Sequence, residues 1–341
     1  PNGLYDISPQ ETMILQPDQN QTLYFMRLPQ SSFMNPALTP ACRVYLDFPV
    51  IGSTDLTIRN NSLMFSDIIF PGTGTNADSL ITILHPDYNI DDFLNKLSNN
   101  NFFSAEFNTN LFSFGFRAGN SMIHFNIYEK VEGSLGIPGD VFTLLFKGNE
   151  SFIGDQVNLN PLSLNLSWYR SYGLGLSQEV FSGFRLGFRG RLLAGMANIS
   201  LKNSDLKIEI DETDFSHKLI ADLSLNISGP VTFVKDSTGN IQDVQVQDGI
   251  DQSSYFVPYL LSFKNPGFAA DFGIEYNYYD RIRVSASIVD LGFIYWQRDV
   301  TNLVSKGEFT FNGIDASPAF NVNDTNTIDD VANALVDSLL D

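Results

Sequence analysis

The stretch Phe268-Ala269-Ala270-Asp271-Phe272-Gly273-Ile274-Glu275-Tyr276-Asn277-Tyr278 decides the fold, read together with the return run Arg281-Ile282-Arg283-Val284-Ser285-Ala286-Ser287-Ile288. In the first run the even positions are apolar or aromatic, and Asp271, Gly273, Glu275 and Asn277 lie between them. In the second, Ile282, Val284, Ala286 and Ile288 alternate with Arg281, Arg283, Ser285 and Ser287. A period of two is that of a strand with one greasy face. The turn residues of Asn277–Asp280 make the two runs a hairpin. Each run is about ten residues, the length a tilted strand needs to cross the hydrocarbon layer of a membrane.

The same alternation extends outward from this hairpin. Phe112, Phe114 and Phe116 face away from Ser113, Gly115 and Arg117, and the turn at Asn120 leads into Met122, His124, Asn126 and Tyr128 alternating with Ile123, Phe125 and Ile127. Leu162–Trp168, Phe184–Phe188 and the unbroken file Leu219, Ala221, Leu223, Leu225, Ile227 repeat the pattern. Two shorter strand-like runs, 43–48 and 56–65, precede them, and Asn89 is placed to cap a short helix over 90–97. Residues 1–40 are rich in Pro, Gln and Asn and hold no period. Past Gly313 the chain turns acidic, with Ile328, Val331, Leu335 and Leu339 at helical spacing. The organisation expected is a non-strand segment over 1–40, antiparallel strands over 41–312 and an acidic extramembrane segment with a short helix over 313–341.

Composition narrows the function. There are 39 acidic and 20 basic residues in 341, a net charge of −19, so nucleic acid is not an expected partner. Charged residues make up 17% and aromatics 13%, which is not a disordered composition. No window reaches the apolar length of a membrane-spanning helix, which leaves a β-barrel as the only spanning structure.

Alternation alone does not separate a soluble sandwich from a membrane barrel. Three features favour lipid. The polar file carries Asp271, Glu275, Arg281 and Arg283 on neighbouring strands, a mixture suited to charge pairs inside a wet lumen. The apolar files are bulky and free of charge. Aromatics gather at strand ends, namely Trp168, Tyr172, Tyr276, Tyr278, Tyr279, Tyr295 and Trp296, as at a membrane–water interface.

No catalytic, cofactor or metal constellation emerges. His85, His124 and His217 are isolated, and the single Cys42 has no neighbouring base. The loop Asp236-Ser237-Thr238-Gly239-Asn240 lacks the closing carboxylate of a calcium loop and reads as a hairpin turn. Gly173, Gly175, Gly183, Gly187 and Gly190 fall within strand patterns, so they predict bends or close packing and not a phosphate cradle. The chain is therefore expected not to be an enzyme.

Leu28-Pro29-Gln30 through Asn35-Pro36-Ala37, with the following strand Val44–Pro49, resembles the N-terminal pattern of outer-membrane barrels related to the FadL fatty-acid transporter and to PorV. The segments 267–276 and 290–296 resemble a family of Bacteroidota outer-membrane proteins of unassigned function. The likeness spans roughly residues 22–314. It implies an up-and-down transmembrane barrel of about fourteen strands when complete. It also implies a lumen hatch at Asn35, Pro36 and Ala37, residence in the outer membrane, and a non-enzymatic role as accessory or plug of a large type 9 secretion translocon. Members of that family continue with further strands where this sequence ends in an acidic helix. Three explanations stay open: a fragment, closure by unrecognised strands, or a plug outside the membrane. Two other functions therefore remain, a transporter of a small hydrophobic ligand and a soluble periplasmic β-rich binding protein.

Overall fold

The computed structural model describes residues 28–48, 54–72, 79–85, 88–160, 162–213, 216–235, 241–246, 263–279 and 282–311. Among the described residues strands account for 66% and helices for 11%, and the strands pair antiparallel, so the described fold is all-β. The acidic helix expected over 328–339, the 236–240 turn and Arg281 lie outside the described residues.

The strands are β1 (Val44–Asp47), β2 (Thr54–Asn60), β3 (Ile69–Pro71), β4 (Leu80–Thr82), β5 (Asn100–Ala118), β6 (Ser121–Pro138), β7 (Gln156–Asn158) and β8 (Ser163–Phe181). They continue as β9 (Phe184–Ile210), β10 (His217–Ser228), β11 (Val231–Lys235), β12 (Ile241–Val246), β13 (Asn265–Tyr278), β14 (Ile282–Ile294) and β15 (Val300–Phe311). Short helices are α1 (Ser31–Met34), α2 (Phe65–Ile68), α3 (Ile90–Leu94) and α4 (Gly139–Lys147). As expected, Asn89 caps α3, its side chain accepting from the Asp91 N–H. The helix α4 falls where no helix was expected, between Pro138 and a Gly148 at φ 72°.

Eleven strands form one sheet, and β3–β4 and β11–β12 stand as separate hairpins. Its longest strands exceed the ten residues read from the sequence: β5 and β8 have 19 residues and β9 has 27. The extra length has a topological cause. One edge of β9 is shared, with Phe184–Gly195 pairing with β13 and Asn198–Ile210 pairing with β10. The other edge lies along β8 and then β7. The sheet thus forks into a β13–β14 branch and a β10–β15 branch. Asn265 holds the fork: its carboxamide donates to the Gly195 carbonyl (3.4 Å) and accepts from the Gln297 and Arg298 N–H groups (2.9 Å each).

Tight turns collect at one end of the sheet. Gly119–Asn120 joins β5 to β6, Ser182–Gly183 joins β8 to β9, and a short link joins β13 to β14. Gly119 (φ 61°) and Gly183 (φ 78°) adopt the left-handed conformation such turns need, so Gly183 is a turn residue and not a strand residue. Longer connections, 61–99 and 139–162, lie at the opposite end, where Phe93 of α3 packs edge-on against Phe142 and Phe146 of α4.

The sheet curls sharply. Lys130 Nζ on β6 lies 3.9 Å from an Asp290 carboxylate oxygen on β14, with β8, β9 and β13 between those strands. Four strand spacings on a flat sheet are roughly 19 Å, more than a Lys and an Asp side chain can jointly bridge. The face bearing these charges is therefore the concave one. Among the described residues the curl stays open, with β1 and β2 at one edge and β14 and β15 at the other.

Candidate functional site

The two faces of the curled sheet differ in kind. Register follows the convex face in rows, such as Leu176, Phe188, Phe272 and Ile288 across β8, β9, β13 and β14. Its side chains are apolar and exposed: Leu174 is 62% accessible, Phe272 47% and Leu291 62%. Leu219, Leu223 and Leu225 continue this face and are half-buried, outside any buried core cluster. A groove of about 510 Å³ runs between two of these rows, lined by Leu186, Phe188, Phe272, Ile274 and Ile288.

Charge on this face comes at a boundary. Arg170 forks onto Glu129, Nε to Oε2 at 3.0 Å and Nη2 to Oε1 at 2.9 Å. Beside this pair on the same strand stand Trp168 and Tyr172, and Tyr172 stacks on Phe263 at 5.1 Å. At the turn end of the band Phe181 stacks on Phe184, and Tyr276, Tyr278 and Tyr279 form a chain of ring contacts. Aromatic rings therefore border the apolar band at both ends.

The concave face is ionic and filled. Asp271, with no exposure, accepts from Arg189 Nε at 2.5 Å, Arg191 Nη2 at 2.9 Å and the Asp290 N–H at 2.7 Å. Arg191 also reaches Asp290 (2.5 Å) and the Tyr128 hydroxyl. Glu275 pairs with Arg283 at 3.2 Å, and Glu179 with Arg185 at 2.9 Å. Of the residues proposed from sequence for lumen pairing, the structure thus joins Glu275 to Arg283 across strands. It gives Asp271 different partners, Arg189 and Arg191, because the register sets β9 and not β14 opposite that carboxylate. The signal that could have found those arginines was their place on the polar side of a glycine-spaced strand, Gly187-Phe188-Arg189-Gly190-Arg191.

Asn35, Pro36 and Ala37 lie against this concave face. Asn35, with no exposure, donates to the Ile274 and Ala286 carbonyls at 3.1 and 3.3 Å, and its Oδ1 accepts from the Ala37 N–H at 2.8 Å. The Ser177 hydroxyl donates to the Ala37 carbonyl (3.0 Å), Ser287 to Met34 (2.7 Å), Arg189 to Phe33 (3.2 Å) and Arg117 to Pro40 (2.8 Å). The Phe33 ring lies under the Arg189 guanidinium at 5.3 Å and edge-on to Tyr128 at 5.7 Å. The wall makes room for the segment with glycine. A Cβ on Gly187 would collide with the Pro36–Ala37 backbone, and one on Gly273 with the Asn35 carboxamide and the Pro36 ring. Both glycines pack closely, as the strand pattern predicted for Gly187.

Outside the sheet, Lys96 Nζ sits 2.5 Å from Asp67, whose carboxyl is held below its usual range by that hydrogen bond and by the Met64 N–H. Cys42 is exposed. Among the described residues no group of three or more His, Cys, Asp or Glu is placed to hold a metal ion. No described helix is long and apolar enough to cross a membrane, which says nothing of strands.

Residues 36–340 match the model of a family described as a family of unknown function, DUF5723. The chain belongs to that family. No curated protein and no solved structure matches the chain. What the DUF5723 match covers is the sheet together with the Pro36–Ala37 contact on its concave wall.

Proposed function

We propose that this DUF5723 chain is a membrane β-barrel of the outer-membrane type, with its lumen occupied by the N-terminal segment, serving as a non-catalytic accessory of protein secretion. The observation that carries the membrane reading is the convex face: exposed, apolar, and bordered by aromatics, opposite a face of buried ion pairs. Soluble monomers rarely expose contiguous apolar patches beyond a few hundred Å². Along β13 the outward side chains run from Phe268 to Tyr278, about 33 Å of strand, or roughly 25 Å of height at a 40° tilt. That is the height of a barrel's apolar band. Tight turns at one end and long connections at the other add the asymmetry of such barrels. Closure of the wall is part of the proposal, because open edges are not tolerated in hydrocarbon.

The filled interior favours an accessory over a conduit. Charge pairs and the Asn35–Ala37 segment occupy the space a small hydrophobic ligand would need. The secretion role itself rests on the resemblance to PorV-like barrels. Heat-dependent migration on detergent gels tests the membrane claim: a closed barrel runs compact when unboiled and shifts after boiling. A chain that is freely soluble in plain buffer, with unchanged migration, would end that claim. Crosslinking in intact cells followed by detergent purification tests the partner, and a protein that emerges alone would remove the accessory role.

A further inference from the structure

We propose that the concave wall holds one small monovalent anion between His124 and Asn126 of β6 and Arg189 and Arg191 of β9. Five polar atoms there hydrogen-bond to nothing among the described residues: His124 Nε2, Asn126 Oδ1, Ser171 Oγ, Arg189 Nη1 and Arg191 Nε. All five side chains are buried, His124 and Asn126 at 2% exposure and Ser171 at none. A buried polar group without a partner costs about 1–3 kcal/mol, so the neighbouring atoms of His124, Asn126, Arg189 and Arg191 call for a guest.

Register places His124, Asn126, Arg189 and Arg191 on two adjoining rows of the concave face. His124, Gly175 and Arg189 are opposite one another across β6, β8 and β9, and Asn126, Gly173 and Arg191 form the next such row. Each row has a glycine at its centre. The His124 ring lies over Gly175 and the Asn126 carboxamide over Gly173, each where a Cβ would stand, so both reach from β6 toward the arginine strand. Ser171, opposite Tyr128, lies in the row beyond Asn126.

The chemistry of the lining selects the guest. Arg189, Arg191 and Ser171 present hydrogens. His124 does so as its Nε2–H tautomer, and Asn126 once its carboxamide is turned over, an assignment set by the partner it meets. Donors on every side exclude a cation. Two guanidinium side chains, 2% and 1% exposed, share one fully buried carboxylate, Asp271, while the second carboxylate on Arg191, Asp290, is 51% exposed. Asp271 and Asp290 thus match the two guanidinium charges, but among the described residues Arg189 has no carboxylate beyond the shared Asp271, and its Nη1 meets no acceptor. A small anion supplies that acceptor.

The test uses the full chain purified in detergent, with bromide as the probe. Raising bromide tenfold at fixed ionic strength, with gluconate as replacement, is expected to raise the thermal midpoint by a few degrees. Crystals grown in bromide are expected to show an anomalous peak within hydrogen-bond reach of Arg189 Nη1. Arg189→Lys is expected to fold and lose the bromide response. Should that variant not fold, His124→Phe keeps the ring over Gly175, lacks Nε2, and should weaken the response. A midpoint indifferent to bromide, or density at these atoms with no anomalous signal, overturns the proposal. Neither result bears on the gel migration that tests the membrane reading.

Discussion

Removing the Asp271 carboxylate probes the interior most directly. Its oxygens accept from Arg189 Nε, Arg191 Nη2 and the Asp290 N–H at 2.5, 2.9 and 2.7 Å, with the side chain fully buried. Asp271→Ala leaves Arg191 with Asp290 and the Tyr128 hydroxyl, but among the described residues leaves Arg189 without a carboxylate, against the Phe33 carbonyl and ring. The loss is therefore concentrated on one guanidinium. Breaking a buried ion pair from one side costs about 3–5 kcal/mol, and the partners kept by Arg191 place this case near 3 kcal/mol. Replacing the set together, Asp271→Leu with Arg189→Leu and Arg191→Met, removes the uncompensated charges and should cost much less than the single change. Urea titration of the folded gel band in detergent measures both. A single variant within about 1 kcal/mol of wild type, or a triple variant worse than the single, would refute the buried pairing.

Further outcomes follow from other contacts. Phe272→Lys, on the convex face, should destabilise the chain by about 2–4 kcal/mol in lipid if the band faces hydrocarbon, measured by folding titration into vesicles; a cost under about 0.5 kcal/mol counts against lipid contact. Gly273→Val should push Asn35 and Pro36 off the wall, and in a Cys42→Ser background a cysteine replacing Ala37 should become labelled by maleimide several-fold faster than without the valine. Asn265→Ala should leave the Gln297 and Arg298 N–H groups unpaired, costing about 1–3 kcal/mol and raising proteolytic nicking near residue 297. Asp67 is ionised more readily in the folded chain, so its pairing with Lys96 contributes fully above the ordinary carboxylate range. That contribution is lost as pH falls through its lowered value, and hydrogen exchange at α2 should accelerate there but not between pH 6 and 8.

The strands and their two faces were legible because side-chain alternation is local: Phe268–Tyr278 shows its register to itself in the sequence. The tight turn at Asn120 and the capping by Asn89 were legible for the same reason. What was hidden depends on pairing at a distance. Nothing in Phe184–Ile210 announces that its two halves serve different neighbours, and the partner of Asp271 is fixed by a register some eighty residues away. The helix α4 escaped because Val141-Phe142-Thr143-Leu144-Leu145-Phe146 reads equally well as an apolar strand; its signals were Pro138 before it and Gly148 after it. Asn35, Pro36 and Ala37 came from resemblance alone, since nothing local shows that they meet glycines more than 150 residues away.

The shared strand β9 has an evolutionary corollary. Because β13–β14 hang from its beginning and β10–β15 from its end, the distal pair can be exchanged, lengthened or recombined without disturbing the proximal one, provided the clasp at Asn265 persists. The two branches are thus separate units of one sheet, joined through a shared strand and a single clasp.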